Sequence, residues 1–139
     1  MLFVAGVSVA YVALVAAPQA PQPGQHWLPV DELPQLPFDH GRIVATAVDR
    51  VRNKSQYSSL PVHLCAEPFT LPQLHGIYEA LLGEPINAVS FRRKMDELAM
   101  LEPVPGAKLA QGPHRPAQLY RLRDEFRRTL SLAGRGLNA

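Results

Sequence analysis

Residues 70–101 of this chain read TLPQLHGIYEALLGEPINAVSFRRKMDELAML, and they contain the clearest helix signals in the sequence. Its first half predicts a helix over Leu71–Leu82, because apolar residues recur there at helical spacing. Thr70 can cap that helix, and Gln73 three residues later completes a capping box. Gly83 then stands where many helices end in a left-handed residue. The sequence thus predicts a first helix with a defined beginning and a defined end.

A second helix and a hairpin follow in the sequence. Pro85 prevents continuation of the first helix, and Asn87 is a good N-cap for a helix over Ala88–Leu101. Two short apolar runs then predict a hairpin over 108–122, with its tip at 111–117. Helix, tight turn, helix and hairpin is the order of a winged helix-turn-helix, in which the second helix enters the DNA major groove.

Three adjacent cations lie in the N-terminal half of the second helix. At about 100° per residue, Phe91 and Met95 face the core. Arg93 points furthest outward, with Arg92 and Lys94 on the flanks. Cations at this end oppose the helix macrodipole, which favours acids there by about 0.3–1 kcal/mol per charge. Helix stability does not explain this order, whereas phosphate and base contacts would; an ordinary solvated basic face is the alternative.

The distribution of charge agrees with a polyanionic partner. Residues 1–41 contain three acids and no Lys or Arg, while residues 42–139 contain all fourteen bases and nine acids. A basic C-terminal part is a modest indication of nucleic-acid binding. The predicted DNA-contacting residues lie in the second helix or the hairpin, and they are Asn87, Ser90, Arg92, Arg93, Lys94, Lys108, His114 and Arg115.

Length and composition restrict the class of protein. The 139 residues suit one ordinary domain or two small ones, and a hydrophobic fraction of 47% argues against wholesale disorder. The single cysteine, Cys65, excludes an intrachain disulfide and fits a reducing compartment, so we expect a cytoplasmic protein. Together with His63 it supplies two ligands, too few for a zinc site. We expect neither a metal nor a cofactor.

The N-terminal residues MLFVAGVSVAYVALVAA could be mistaken for a signal peptide. They lack a basic n-region and are short for a membrane span, so we expect no membrane association. The run Val7–Val15 predicts a buried strand that is apolar on both faces. Such a strand needs neighbours on both sides. Because the chain supplies few, we expect it to associate as a dimer or a larger species.

The segment between this run and the first helix has mixed signals. Pro18–Gly24 predicts a loop, and Asp31–Leu33 predicts a single turn. Asp39 can cap a helix over 40–52, whose apolar residues recur at helical spacing. Residues 53–60 are polar and predict a linker and a domain boundary. A short strand is expected over Pro61–Cys65.

Three segments carry a resemblance to a known family. They are VSVAYVALV (7–15), WLPVDELPQLPFDH (27–40) and FTLPQLHGIYEALLG with the later FRRK and RPAQLYRL (69–122). Together they resemble the Nudix-related transcriptional regulators of NAD metabolism over residues 6–122. In that family a Nudix-like domain senses ADP-ribose or a related metabolite, a C-terminal winged helix binds an operator, and the protein works as a dimer.

The resemblance implies an α+β fold with three parts. A winged helix-turn-helix over 61–123 would follow the C-terminal remnant of a Nudix-like α/β sandwich over 1–56. A tail over 124–139 would contain a short amphipathic helix around Phe126 and Leu130. The resemblance also implies that Phe91–Lys94 belong to the recognition helix and Arg115–Ala117 to the wing. The implied function is that of a DNA-binding repressor of NAD-metabolism genes, responsive to ADP-ribose or a related nucleotide.

The sequence departs from the family in its sensor domain. Nothing matches the Nudix box G-x5-E-x7-R-E-x-x-E-E-x-G, because the glutamates at 32, 67, 79 and 84 are isolated. The carboxylates that would hold Mg²⁺ on a pyrophosphate are missing, and no other catalytic motif is present, so we expect no enzyme. A truncated gene product and a start placed too far downstream both remain open. The alternative function is a Nudix hydrolase fragment whose winged helix is a protein-interaction platform.

Overall fold

A computed structural model describes residues 9–16, 19–109, 116–128 and 130, with only the backbone of Lys108. The chain divides into two compact units, Met1–Val48 and Asp49–Ala139. The predicted strand residues Val7 and Ser8, Ala110 with residues 111–115 of the predicted wing tip, and the tail residues 129 and 131–139 lie outside the described residues.

The first unit contains no strand among its described residues. Residues 9–15 are irregular, and Val9 and Tyr11 expose 72% and 91% of their surface. The predicted buried strand is therefore wrong over this range. A strand that is apolar on both faces forms only inside a sheet, and no described strand pairs with this segment. The predicted loop is confirmed at 19–24, and the predicted turn is a 3₁₀ helix, Val30–Glu32.

The first helix, α1, comprises His40–Tyr57 and crosses the boundary between the two units. It begins at the predicted residue but ends five residues later than the predicted Arg52. The prediction of a turn-like segment from Asn53 is therefore wrong as far as Tyr57. The physical reason lies at the C-terminal end of the helix, where Ser55 is fully buried within the second unit and the Ser58 hydroxyl donates to the Lys54 carbonyl oxygen at 2.6 Å. In the described part of the chain, no helix has the length and apolar character needed to span a membrane.

Helix α2 comprises Leu60–His63, where a strand was predicted over Pro61–Cys65. That prediction is wrong. Pro61 occupies the first helical turn, where its missing N–H and fixed φ favour a helix rather than a strand. Both Pro61 and Val62 are buried, so the short helix contributes to the core of the second unit.

Helix α3, Leu71–Leu82, has the predicted bounds. The Thr70 hydroxyl accepts from the Gln73 N–H at 3.3 Å, and the Gln73 side chain accepts from the Thr70 N–H at 2.8 Å, which confirms the capping box. Gly83 ends the helix in the left-handed region with φ 74°. Local signals fix both ends of α3.

Helix α4 comprises Ala88–Leu98 and ends three residues before the predicted Leu101. Ala99 adopts φ 49° and reverses the chain, so the next residue leaves the helical wheel. Met100, which a continued helix would place on the side opposite Phe91, is fully buried. The predicted core residues Phe91 and Met95 are buried as expected.

A three-stranded antiparallel sheet completes the second unit. Its strands are β1 (Phe69–Thr70), β2 (Leu101–Leu109) and β3 (Ala117–Leu122), in the order β1-β3-β2. Strand β2 begins seven residues before the predicted hairpin strand and includes Pro103 and Pro105. Its pairing with β3 shifts between Pro103 and Lys108, so an irregular stretch absorbs the second proline.

One core lies between the helices and the sheet. Its buried apolar residues come from α2, α3, α4, the sheet and the segments that join them. They are Val62, Phe69, Leu74, Tyr78, Leu82, Ile86, Phe91, Met95, Met100 and Leu122. After β3 the chain forms a 3₁₀ turn, Asp124–Phe126, rather than the predicted amphipathic helix around Phe126. The second unit is therefore α+β, as predicted.

Candidate nucleic-acid interface

The helix-turn-helix is formed by α3, the segment Gly83–Asn87, and α4. The Asn87 side-chain oxygen accepts from the backbone N–H groups of Val89 and Ser90, each at 3.0 Å. This is an N-cap, which satisfies two amides at the start of α4. Asn87, predicted to contact DNA, thus uses its side-chain oxygen to build the helix, and Ser90 is half-buried beside it.

The outer face of α4 carries Val89, Arg92 and Arg93, which are all exposed. Positions 89, 92 and 93 are three and four residues apart, so these side chains are neighbours on one face. Val89 exposes 78% of its surface. Two guanidinium groups and an apolar side chain therefore form one surface, and we call it the outer face of α4 below.

Lys94 lies on a different side of the helix. Only 12% of its side chain is exposed, and its Nζ lies 3.8 Å from Glu97 Oε2. Glu97 Oε1 also lies 3.9 Å from Arg93 Nε, so one carboxylate is shared by two cations. Exposed pairs of this spacing stabilise a helix by about 0.2–0.5 kcal/mol. The three cations that adjoin in sequence are thus not equivalent, since Arg92 and Arg93 face solvent and Lys94 does not.

Gln118 stabilises the hairpin, a role that was not predicted from the sequence. The Gln118 side-chain amide donates to the carbonyl oxygens of Val104 and Ala107, at 3.1 and 3.3 Å. It therefore bridges the irregular stretch of β2 from β3. No sequence pattern indicates such a role for an isolated Gln next to an apolar run. Of the predicted wing residues, His114 and Arg115 and the side chain of Lys108 lie outside the part of the chain that the structure describes.

A cleft of about 300 Å³ lies at the end of β3. Its lining comes from α2, the segment before β1, and the end of β3: Val62, His63, Cys65, Glu67, Leu122 and Arg127. Glu67 accepts from the Leu122 N–H and from Arg127 Nη2, both at 2.8 Å. Burial, followed by the charge of Glu67, raises the pKa of the Cys65 thiol to about 11. The described residues contain no group of three or more His, Cys, Asp or Glu suited to a metal ion.

The order of α3, α4 and an antiparallel hairpin, with a short strand β1 added to the sheet, defines a winged-helix domain. Residues 61–122 match the family model of the NrtR DNA-binding winged helix domain. The winged-helix domain of this chain is therefore similar to the DNA-binding domain of the NrtR family.

Similar proteins agree with this assignment. The chain is 38% identical over 122 residues to the ADPR responsive transcriptional repressor NtrR of Acinetobacter baylyi. The aligned region covers 83% of this chain and 48% of the relative. A crystal structure of Shewanella oneidensis NrtR matches with TM-score 0.59 and 37% identity, over 77% of this chain and 46% of that one. The same Shewanella protein complexed with a 27mer DNA matches with TM-score 0.60 and 36% identity, over 77% and 47%. The chain thus spans about half the length of these relatives.

Proposed function

We propose that this chain is the DNA-reading part of a transcriptional repressor of NAD-metabolism genes. The observation that carries the proposal is the outer face of α4, with Arg92 and Arg93 exposed on the second helix of a helix-turn-helix. In such domains this helix lies in the major groove. The solved relative complexed with a 27mer DNA and the ADPR responsive repressor relative support the same function.

The arginines suit both parts of a DNA interface. A guanidinium can bind one phosphate or form two hydrogen bonds with guanine O6 and N7. Val89 adds an apolar group beside them, which suits contact with a thymine methyl. Asn87 and Ser90 support this surface from the helix start, while Lys94 lies at its margin. Lys108, His114 and Arg115 are proposed to reach the DNA backbone from the wing.

The proposed function is tested by measuring duplex affinity as a function of salt. Binding through phosphates should weaken steeply between low and physiological salt, because bound counterions are released. Arg92→Ala and Arg93→Ala should each lower affinity for the preferred duplex by about 1–3 kcal/mol if the arginine contacts a base. Arg50→Ala on α1, which also removes one exposed cation, is the matched control and should have a smaller effect.

An affinity that is unchanged by both α4 substitutions would favour the alternative function, in which the winged helix is a protein-interaction platform of a Nudix hydrolase fragment. The two interpretations differ in what they require of this surface, since a DNA reader needs cations at positions 92 and 93, whereas a protein platform would tolerate neutral residues there.

We also propose that the chain itself is not an enzyme and that ADP-ribose or a related nucleotide acts as an effector of the complete sensor domain. The relative named as ADPR responsive supports an effector of this kind. Mg²⁺-dependent release of AMP from ADP-ribose by the purified chain would contradict the first statement. The proposed site of action is the cytoplasm, and the proposed working form is a homodimer.

A further inference from the structure

Two side chains of α3 hold the turn that leads into α4. His75 and Glu79 are four residues apart, so they lie on one face of α3. His75 Nε2 lies 2.9 Å from the Ile86 carbonyl oxygen, and Glu79 Oε1 accepts from the Ile86 N–H at 2.9 Å. Since a carbonyl oxygen can only accept, Nε2 carries the proton in this contact. Both backbone polar groups of Ile86 are therefore bound by α3.

The position of Ile86 in the chain links the turn to the start of α4. It directly precedes Asn87, the N-cap of α4, and its own side chain is 6% exposed within the core. The ring of His75 also contacts the ring of Phe91, edge to face, with centroids 4.9 Å apart. His75 thus contacts the chain at two places, two residues before α4 and one turn into α4. Two separated contacts fix the direction of a helix, whereas one contact fixes only its position.

The two side chains are mostly shielded from water. His75 and Glu79 expose 19% and 35% of their side chains, and His75 Nδ1 lies 3.7 Å from Glu79 Oε2. Hydrogen bonds in such a site must be replaced if one partner is removed, because a buried donor or acceptor without a partner is unfavourable. If Glu79 or His75 is lost, Ile86 would have to move towards water, and the start of α4 would move with it.

We propose that His75 and Glu79 are positioning residues for DNA recognition, which set the orientation of α4 so that Arg92 and Arg93 reach base edges. This inference rests on the proposed function. Base contacts require a defined helix orientation, whereas attraction to phosphates requires only nearby positive charge. We call the two hydrogen bonds of His75 and Glu79 to Ile86 the His75–Glu79 bracket. This bracket therefore affects discrimination between DNA sequences more than attraction to DNA in general.

Four substitutions separate the contacts of this bracket. His75→Phe keeps an aromatic ring against Phe91 but removes the donor to Ile86, and His75→Gln keeps a donor without the ring. Glu79→Ala removes the acceptor, and Glu79→Gln keeps an oxygen that can accept from the Ile86 N–H. Matched controls are His63→Phe on α2 and Glu125→Ala in the 3₁₀ turn, since both side chains are exposed.

The experiment compares two affinities of the full chain at one salt concentration. A preferred duplex is first enriched from a random-sequence pool with the wild-type chain, and a scrambled duplex of equal length is the reference. Far-UV circular dichroism and thermal unfolding show that each variant is folded at the assay temperature. The measured quantity is the ratio of the two affinities, which a general loss of folded protein does not change.

We expect His75→Phe and Glu79→Ala to lower this ratio by about tenfold, a loss comparable with that of one mismatched base pair. Affinity for the scrambled duplex should stay within about twofold. Glu79→Gln should keep most of the wild-type ratio, His75→Gln should lie closer to wild type than His75→Phe, and both controls should match wild type. The double variant His75→Phe/Glu79→Ala should lose little more than either single variant, because both substitutions remove a hydrogen bond to Ile86.

Two results would overturn the positioning role. One is an unchanged ratio in folded His75→Phe and Glu79→Ala chains. The other is an equal loss of affinity for both duplexes, which is the signature of a merely structural role. Glu79→Asp, which keeps the charge but shortens the reach, replaces Glu79→Ala if that variant fails to fold. A wild-type chain that enriches no duplex would instead refute the proposed function, and the positioning role would fall with it.

Discussion

Tyr78 places a polar hydroxyl group in the apolar core of the second unit. It is 1% exposed, its ring packs edge to face against Phe91, and its hydroxyl has no hydrogen-bond partner among the described residues. Burial strongly raises the pKa of this hydroxyl, so it stays protonated. A buried hydroxyl without a partner lowers stability by about 1–3 kcal/mol relative to a paired one.

Tyr78→Phe should therefore keep or increase the stability of the second unit. It retains the ring contact and removes the unpaired hydroxyl, so we expect a gain of up to about 1 kcal/mol in the free energy of unfolding. Urea unfolding of wild type and variant measures this difference. Phe91→Tyr is an informative comparison, because it would add a second buried hydroxyl and should destabilise. A loss of more than about 1 kcal/mol in Tyr78→Phe would mean that the hydroxyl has a partner outside the described residues.

Cys65 should be a poorly reactive thiol. Its pKa of about 11, raised by burial and by Glu67, leaves very little thiolate at neutral pH, and the thiolate is the nucleophile. We expect alkylation by iodoacetamide to be slow at pH 7 and to accelerate as the pH approaches 11. Glu67→Gln removes the smaller of the two causes and should move the rate profile modestly to lower pH. Fast labelling of the folded chain at pH 7 would contradict this assignment.

At the residue scale, the helical wheel predicted the outer face of α4 only in part. It correctly placed Phe91 and Met95 inside and Arg93 outside. It could not foresee that Lys94 is mostly covered while Arg92 is exposed, because a wheel gives angles and not the depth of neighbouring elements. The bracket of His75 and Glu79 was also missed, since its partner is a backbone group eleven residues from His75.

At the element scale, two glycines of α3 give opposite expectations. Gly83 has φ 74°, and a Cβ there would lie 2.6 Å from an Arg52 guanidinium nitrogen. Gly76 lies inside α3 with no atom within 4 Å of such a Cβ. Gly83→Ala should therefore destabilise by about 1–2 kcal/mol through left-handed strain, with displacement of Arg52. Gly76→Ala should stabilise by about 0.5–1 kcal/mol through better helix propensity.

Thermal unfolding of the two alanine variants provides the measurement, and each variant is the control for the other. A Gly76→Ala chain that unfolds at a lower temperature would indicate an interaction of this exposed face that the described residues do not contain. Similar stability of Gly83→Ala and wild type would show that the end of α3 can adopt another conformation.

The elements that were predicted correctly are those with local signals. The capping box and Gly83 bound α3, and Asn87 begins α4, within a few residues of sequence. The errors lie where distant packing decides. The continuation of α1 depends on the burial of Ser55, and β2 starts at Leu101 because it pairs with Leu122 across the hairpin. No pattern in residues 53–57 or 101–107 records those partners.

At the scale of the whole molecule, the two units differ in how well they cover apolar surface. The second unit has a buried core, whereas the first exposes Val9, Tyr11, Val12, Val15, Trp27, Leu28 and Phe38. Exposed apolar surface of this kind promotes association. We therefore expect the full chain to form a dimer or a larger species.

A fragment comprising residues 49–139 is the matched comparison for that prediction. It keeps the C-terminal half of α1 with buried Ser55, so we expect it to remain folded and monomeric. Replacing Val9 and Tyr11 by Ser in the full chain should weaken association without affecting the winged helix. Light scattering at several concentrations measures the mass of each species. A monodisperse monomer of the full chain would show that the apolar residues of the first unit have other cover.

The sheet of the winged helix has one further consequence for how copies of this chain can meet. One of its outer strands, β1, is two residues long, and the other, β2, contains Pro103 and Pro105, which have no backbone N–H. A foreign strand that aligned with β1 would find only two residues to pair with, and one that aligned with β2 would meet two residues without a backbone donor. Edge-to-edge strand addition is therefore disfavoured at this sheet. Copies of the chain that associate through their N-terminal residues would therefore not also be joined by strand pairing between their winged-helix sheets.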